Sequence, residues 1–240
     1  MNLNIPYMET DNKLLNDAYR IAAGDIVGNI VYYQNGLLTE EKPCMIAGLD
    51  YNTPWTRDTA INIWNALSIL SPEVSKNTLL AVLEEEEGNI YIGGQYWDSI
   101  IWMIGAREYC RFHKDDNFYR LAFEAGRNSV HRLEEGEFDE EDGLFRGPAV
   151  YGDGIAAYPD KYSKCPNQGS GILEWVDYPG NPVYPKGYGI PMKALSTNCV
   201  YFKAYEILAE MAHALGEPAK EFEEKAAAMK KAVNKNFWNE

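Results

Sequence analysis

"STNCVYFKAYEILAEMAHALG", residues 196–216, decides the fold class. Tyr201, Ala204, Leu208, Met211 and Leu215 recur at helical spacing, and Gly216 stands where a helix closes on a left-handed residue. "EPAKEFEEKAAAMKKAVNKNFW" (217–238) follows at once, with Phe222, Ala226, Met229 and Val233 at the same spacing. The first helix is the more apolar and the second the more charged, which is the pattern of an inner and an outer helix in a stacked hairpin.

The pairing occurs twice more upstream. After a helix predicted near 11–23, "RDTAINIWNALSIL" (57–70) carries Ile61, Trp64, Leu67 and Leu70, with Ala60, Ile63 and Ala66 on the other side. A helix apolar nearly all round is expected to be buried. Ser71-Pro72 stops it and opens the next, predicted over about 72–86, because Ser caps and Pro fits a first turn. Glu84–Glu87 then reads as a solvated face. The next pair is "WDSIIWMIGAREYCRFH" (97–113), with Ile101, Ile104 and Ala106, and "DDNFYRLAFEAGRNSVHRLEE" (115–135), with Phe118, Leu121, Ala125 and Leu133. Little strand signal is present, so the expected class is all-α.

One long stretch, near 138–195, departs from helical period and reads as an irregular loop. It holds seven of the twelve prolines, six tyrosines (Tyr151, Tyr158, Tyr162, Tyr178, Tyr184 and Tyr188) and Trp175. An aromatic-rich loop of this length points to function rather than to a linker.

Composition narrows the partners. The chain has 36 acidic against 22 basic residues, a formal charge of −14, which repels phosphate backbones and anionic membranes. Nucleic acid and membrane are therefore not expected partners, and a neutral small molecule is. Only three histidines occur, with no metal-ligand spacing, so neither metal nor cofactor is expected. The four cysteines lie far apart without a C-x-x-C pair and read as reduced, buried thiols. The N-terminal stretch lacks a basic segment followed by an apolar run, and no stretch approaches a membrane span, so a cytoplasmic location is expected.

Acids and aromatics gather at the starts of the inner helices. Trp55, Arg57 and Asp58 open the first; Gln95, Trp97 and Asp98 open the second; Ser196, Thr197 and Asn198 open the third. In the loop, "GPAVYGDGIAAYPD" (147–160) sets Asp153 between two glycines, beside Tyr151. Singly, each has a plain structural reading: Asp58 and Asp98 as N-caps, Trp55 and Trp97 as core aromatics, Asp153 as a turn residue. Together they suit a sugar, whose C–H faces lie on aromatic rings and whose hydroxyls bond carboxylates, Arg and Gln. Inner helices running the same way would gather these starts at one end, where free N–H groups collect. Cleavage of a glycosidic bond needs one protonated carboxyl at the bridging oxygen and a second carboxylate. Apolar and aromatic neighbours that raise its pKa suit Asp153 to the acid role.

The motifs resemble those of the six-hairpin (α/α)6-barrel glycosidases. The nearest groups are the family 63 glycoside hydrolases, their mannosylglycerate-hydrolase-like relatives and the amylo-α-1,6-glucosidase domain of glycogen debranching enzymes. "WTRDTA" (55–60) is similar to the motif on the first inner helix that holds the sugar in the −1 subsite, and "EDGLFRGPAVYGDG" (141–154) to the segment carrying the general acid. The resemblance implies an (α/α)6 toroid, incomplete here, with residues 1–240 as the N-terminal portion of one glycosidase domain. It implies an inverting glycoside hydrolase acting on α-glycosidic bonds of neutral oligosaccharides, with Asp153 as acid and substrate held by Trp55, Arg57, Asp58, Gln95, Trp97, Asp98, Tyr151, Trp175 and Asn198. The general base and the remaining half of the barrel, from the same or another chain, are expected outside these residues. A phosphorylase, epimerase or lyase on the same toroid and a non-catalytic sugar-binding helical repeat are the alternatives.

Overall fold

The computed structural model describes residues 5–94, 98–147, 149 and 193–238. They are mostly helical, with three short antiparallel strand pairs. The helices are α1 (Lys13–Gly28), α2 (Thr56–Asn62), α3 (Pro72–Ala81), α4 (Asp98–Phe112), α5 (Asp116–Glu137), α6 (Leu195–Leu215) and α7 (Lys220–Phe237). The chain continues from α2 through a π-helical turn at Ile63–Leu67 and a last α turn at Ser68–Leu70. The expected punctuation is in place. The Ser71 hydroxyl accepts from Val74 N–H with Pro72 in the first turn, and Gly216 closes α6 at φ 70°. Two compact units are formed, one of Met1–Gly94 with Ile101–Ala122, the other of Gln95–Ile100 with Phe123–Glu240.

In the first unit α2 and α4 run the same way. The Thr56 hydroxyl donates to the carbonyl of Gly93, just ahead of α4, at 2.8 Å. Midway, a Cβ added to Gly105 would stand 2.7 Å from the Ala60 Cα, so the helix backbones touch there. At the far end the His113 ring meets the Ser68 carbonyl at 2.6 Å. The outer helix α3 packs back on them. Trp102 donates from Nε1 to the Leu79 carbonyl at 3.3 Å, and Lys76 pairs with Asp115 at 2.6 Å. Across the turn from α4 to α5, Phe118 meets the Tyr109 ring edge-on at 5.0 Å.

The contact at Gly105 gives a direct expectation. Gly105→Ala forces backbone apart and should cost about 1–3 kcal/mol by overpacking. Gly136→Ala, in α5 with open space around the added methyl, should instead stabilise by about 0.5–1 kcal/mol. Thermal unfolding of both variants checks this; equal effects would rule out the tight α2–α4 crossing.

The strands correct the all-α expectation. β1 (Ile30–Tyr33) pairs with β2 (Lys42–Met45), β3 (Leu83–Glu86) with β4 (Asn89–Ile92), and β5 (Phe138–Asp139) with β6 (Leu144–Phe145). Each is four residues or fewer, too short for an alternating pattern to stand out. The predicted helix over 72–86 stops at Ala81, and Glu84–Glu86 lie on a strand, exposed as the solvated reading required. Glu87 (φ 52°) and Gly88 (φ 80°) make the turn, and consecutive left-handed residues are what a tight hairpin demands. Within the predicted 138–195 loop, residues 138–145 form the β5–β6 hairpin.

In the second unit α6 packs on α7. Ten α6 residues are buried, from Thr197 to Ala212, and on α7 only Phe222, Ala226 and Met229 are, so the inner and outer readings hold. β6 lies on α6, where Phe145 stacks on Tyr201 with ring centroids 3.5 Å apart.

The described residues do not form an (α/α)6 toroid. Seven helices supply three hairpins, where the fold needs six. The inner helix 57–70 is also not buried all round, because Trp64 is 50% and Ile69 59% exposed. Helical period tells which residues are apolar, not whether a neighbour covers each side. No helix among the described residues is long and apolar enough to cross a membrane.

Candidate functional site

The first helix start is built as a single turn. Trp55 takes the N-cap position in extended conformation, and its carbonyl accepts from Thr59 N–H at 2.8 Å. Its ring is half-buried, packs edge-on against Tyr51 at 6.2 Å, and keeps its indole N–H inside without a hydrogen-bond partner. Arg57 and Asp58 follow on the first turn, both half-buried. Asp58 is therefore not the N-cap: Trp55 holds that position three residues earlier, and Asp58 stands in the first turn, where a negative charge is favoured. Thr56 is the residue that sequence reading missed. Its bond to Gly93 ties this turn to the strand end that leads into Gln95–Asp98. A lone threonine inside "WTRD" carries no signal of a partner 37 residues away.

The other predicted residues fall differently. Asp98 belongs to the second unit, opens α4 in its first turn, and is fully buried. Gln95, Trp97, Tyr151, Asp153 and Trp175 lie outside the described residues. Asn198 is fully buried and engaged with backbone. Its Oδ1 accepts from Phe145 N–H at 2.8 Å, and its Nδ2 donates to the carbonyls of Phe145 (3.1 Å) and Ala194 (3.0 Å). This corrects its reading as a sugar ligand: the amide serves as a cross-link between β6 and α6. Asparagine at a helix start has both uses, and only the strand opposite it decides which one is realised.

Sequence reading also missed a polar cluster in the second unit. His131 Nε2 lies 2.9 Å from Glu221, Lys225 lies 2.6 Å from Glu221 and 2.8 Å from Glu134, and Tyr205 donates to Glu134 at 2.6 Å. The residues come from α5, α6 and α7, so spacing within one helix could not reveal them. A cavity of about 420 Å³ beside them is lined by Glu134, Phe138, Tyr205, Lys225 and Met229, among others. His131, Glu134 and Glu221 each offer a ligand atom within 4.8 Å of the others. The Lys225 ammonium already bonds both carboxylates, however, and so takes the position a metal cation would occupy.

The charges explain the titration of this cluster. Burial works against the Glu221 carboxylate, but bonds from Lys225 and His131 outweigh it and hold its pKa below 4.5. Burial likewise opposes the Lys225 charge, and Glu134 and Glu221 outweigh it, raising its pKa above 10.5. The depressed acid stabilises the fold above pH 4.5 and loses that contribution as pH falls through its folded value. The raised base stabilises below pH 10.5 and loses its contribution as pH rises through its own. Lys225→Met should therefore flatten the acid limb of a plot of urea midpoint against pH. An unchanged limb would show that the cluster does not set it.

Two of the thiols are held protonated by burial, which leaves them poor nucleophiles. Cys44 is buried and Cys110 half-buried, and burial pushes both up to about 12. Cys199 is exposed, which corrects the expectation of buried thiols there. Comparison with protein-family models, curated proteins and solved structures finds no match to the chain.

Proposed function

We propose that the chain is part of an inverting α-glycoside hydrolase acting on neutral oligosaccharides. Asp153 is the general acid, and Trp55, Arg57, Asp58, Gln95, Trp97, Asp98, Tyr151 and Trp175 bind the sugar at the cleaved bond. Asn198 is left out of this set because Phe145 takes its amide. The reading rests on one observation above all: Trp55, Arg57 and Asp58 share the first turn of α2, where the Trp55 indole N–H lies inside without a hydrogen-bond partner. An aromatic ring with an acid and an arginine at one helix start is what a sugar pocket at a helix-bundle mouth requires. Trp64, Ile69 and Phe112 are exposed apolar side chains.

The test is hydrolysis of a panel of aryl α-glycosides and neutral oligosaccharides by the full polypeptide, with the anomer of the first-formed product read by NMR. Hydrolysis with inversion supports the reading. Binding without hydrolysis would make the protein a sugar-binding module, and product formation that depends on phosphate would make it a phosphorylase. Trp55→Ala should raise KM about tenfold or more with a smaller change in kcat, through lost stacking on the sugar face.

A further inference from the structure

The cavity of the second unit already holds one ammonium at its wall. α5, the β5–β6 hairpin, α6 and α7 all contribute to its lining. On one side Lys225 donates to Glu134 at 2.8 Å and to Glu221 at 2.6 Å, and its Nζ lies 5.9 Å from the centre of the Tyr205 ring. Burial opposes that charge, yet the two carboxylates outweigh it and raise the Lys225 pKa, so the local field favours a cation. The Tyr205 hydroxyl fixes Glu134 by donating to it at 2.6 Å. Lys225 serves only Glu134 and Glu221. Glu135 and Glu140 line the same cavity, both exposed, and neither carboxylate has a hydrogen-bond or ion-pair partner among the described residues.

We propose that this cavity binds a small organic ammonium ion, its charged end at Glu135 and Glu140 and its apolar body against Phe138 and Met229. Three lining carboxylates face one lining ammonium, which leaves a net negative charge for a ligand to neutralise. The apolar part of the wall is preformed: Phe138 meets Phe145 edge-on at 5.1 Å, and Met229 is buried. A volume of about 420 Å³ is that of a small-molecule site. An aromatic ring beside carboxylates attracts an alkylammonium twice, through its face and through the charges. A bare metal ion suits the place less well, because Phe138 and Met229 offer it no hard ligand and Lys225 already spans Glu134 and Glu221. The inference stands apart from the glycosidase reading, since every residue it uses belongs to the second unit and none to the proposed sugar site.

The test is titration calorimetry of the full polypeptide with 2-phenylethylammonium, and with 2-phenylethanol as its uncharged counterpart. The amine should bind saturably, more weakly as NaCl is added, and about tenfold or more tighter than the alcohol. The double variant Glu135→Gln, Glu140→Gln changes two exposed side chains and should keep the fold. It should weaken the amine about five- to tenfold and leave the alcohol unchanged. Lys225→Met removes the cation already at the wall and should bind the amine several-fold tighter, the opposite of what loss of a mere lining contact would do. Equal affinity for amine and alcohol would overturn the proposal, as would weaker amine binding by Lys225→Met. So would no saturation below about 10 mM, the weakest binding expected of a ligand this small in a fitting site. Wild-type affinity in the double variant would place the amine elsewhere and overturn it too. Failure to hydrolyse any glycoside would end the glycosidase reading and leave these affinities to decide the ammonium site.

Discussion

Replacing Asp153 by Asn should lower kcat on an α-glycoside with a poor leaving group by about 10²- to 10⁴-fold, the usual contribution of a positioned general acid. Asparagine keeps the shape and a hydrogen bond, so sugar affinity should change little. The loss should shrink sharply on a dinitrophenyl glycoside or a glycosyl fluoride, because those leaving groups depart without a proton. The same loss on every substrate would mean that Asp153 has another role, and full activity would remove it from the mechanism. The flanking Gly152 and Gly154 lead to a second expectation. A side chain at either place should raise KM or block turnover by crowding the approach to the acid.

The largest expected effect on stability comes from Asn198→Ala. The substitution strips hydrogen bonds from both the N–H and the carbonyl of Phe145, at a site with no exposed surface. An unsatisfied buried polar group costs about 1–3 kcal/mol, so the pair should cost about 3 kcal/mol or more. At about 2–4 °C per kcal/mol for a chain of this size, the melting temperature should fall by roughly 10 °C. Asn198→Asp should also destabilise, since a carboxylate can accept from Phe145 N–H but cannot donate to its carbonyl. A sugar-binding role without the cross-link would leave the melting temperature unchanged and alter only affinity.

Much of the helical architecture was legible because helices advertise themselves locally. Tyr201 to Leu215 and Phe222 to Val233 recur every three or four residues, and Gly216 and Ser71-Pro72 punctuate by their own chemistry. The hairpin strands were not legible. β3 is "LEEE", poor strand-formers held in place by pairing to "NIYI" across a Glu87-Gly88 turn. The turn residues were visible, but the outcome depended on the partner strand. Cover was hidden in the same way: Trp64 and Ile69 are as apolar as Ile63 and Leu67, yet the first two are exposed and the second two buried.

The sequence alone determined where the helices lie, their punctuation at Ser71-Pro72 and Gly216, and the gathering of Trp55, Arg57 and Asp58 into one helical turn, because these depend on contacts within a few residues. Tertiary structure decided that Thr56 reaches Gly93, that Asn198 serves Phe145, and that His131, Glu134, Glu221 and Lys225 converge. Those outcomes join residues 37 to 91 positions apart, so they are fixed by how whole elements pack and not by any pattern within one of them.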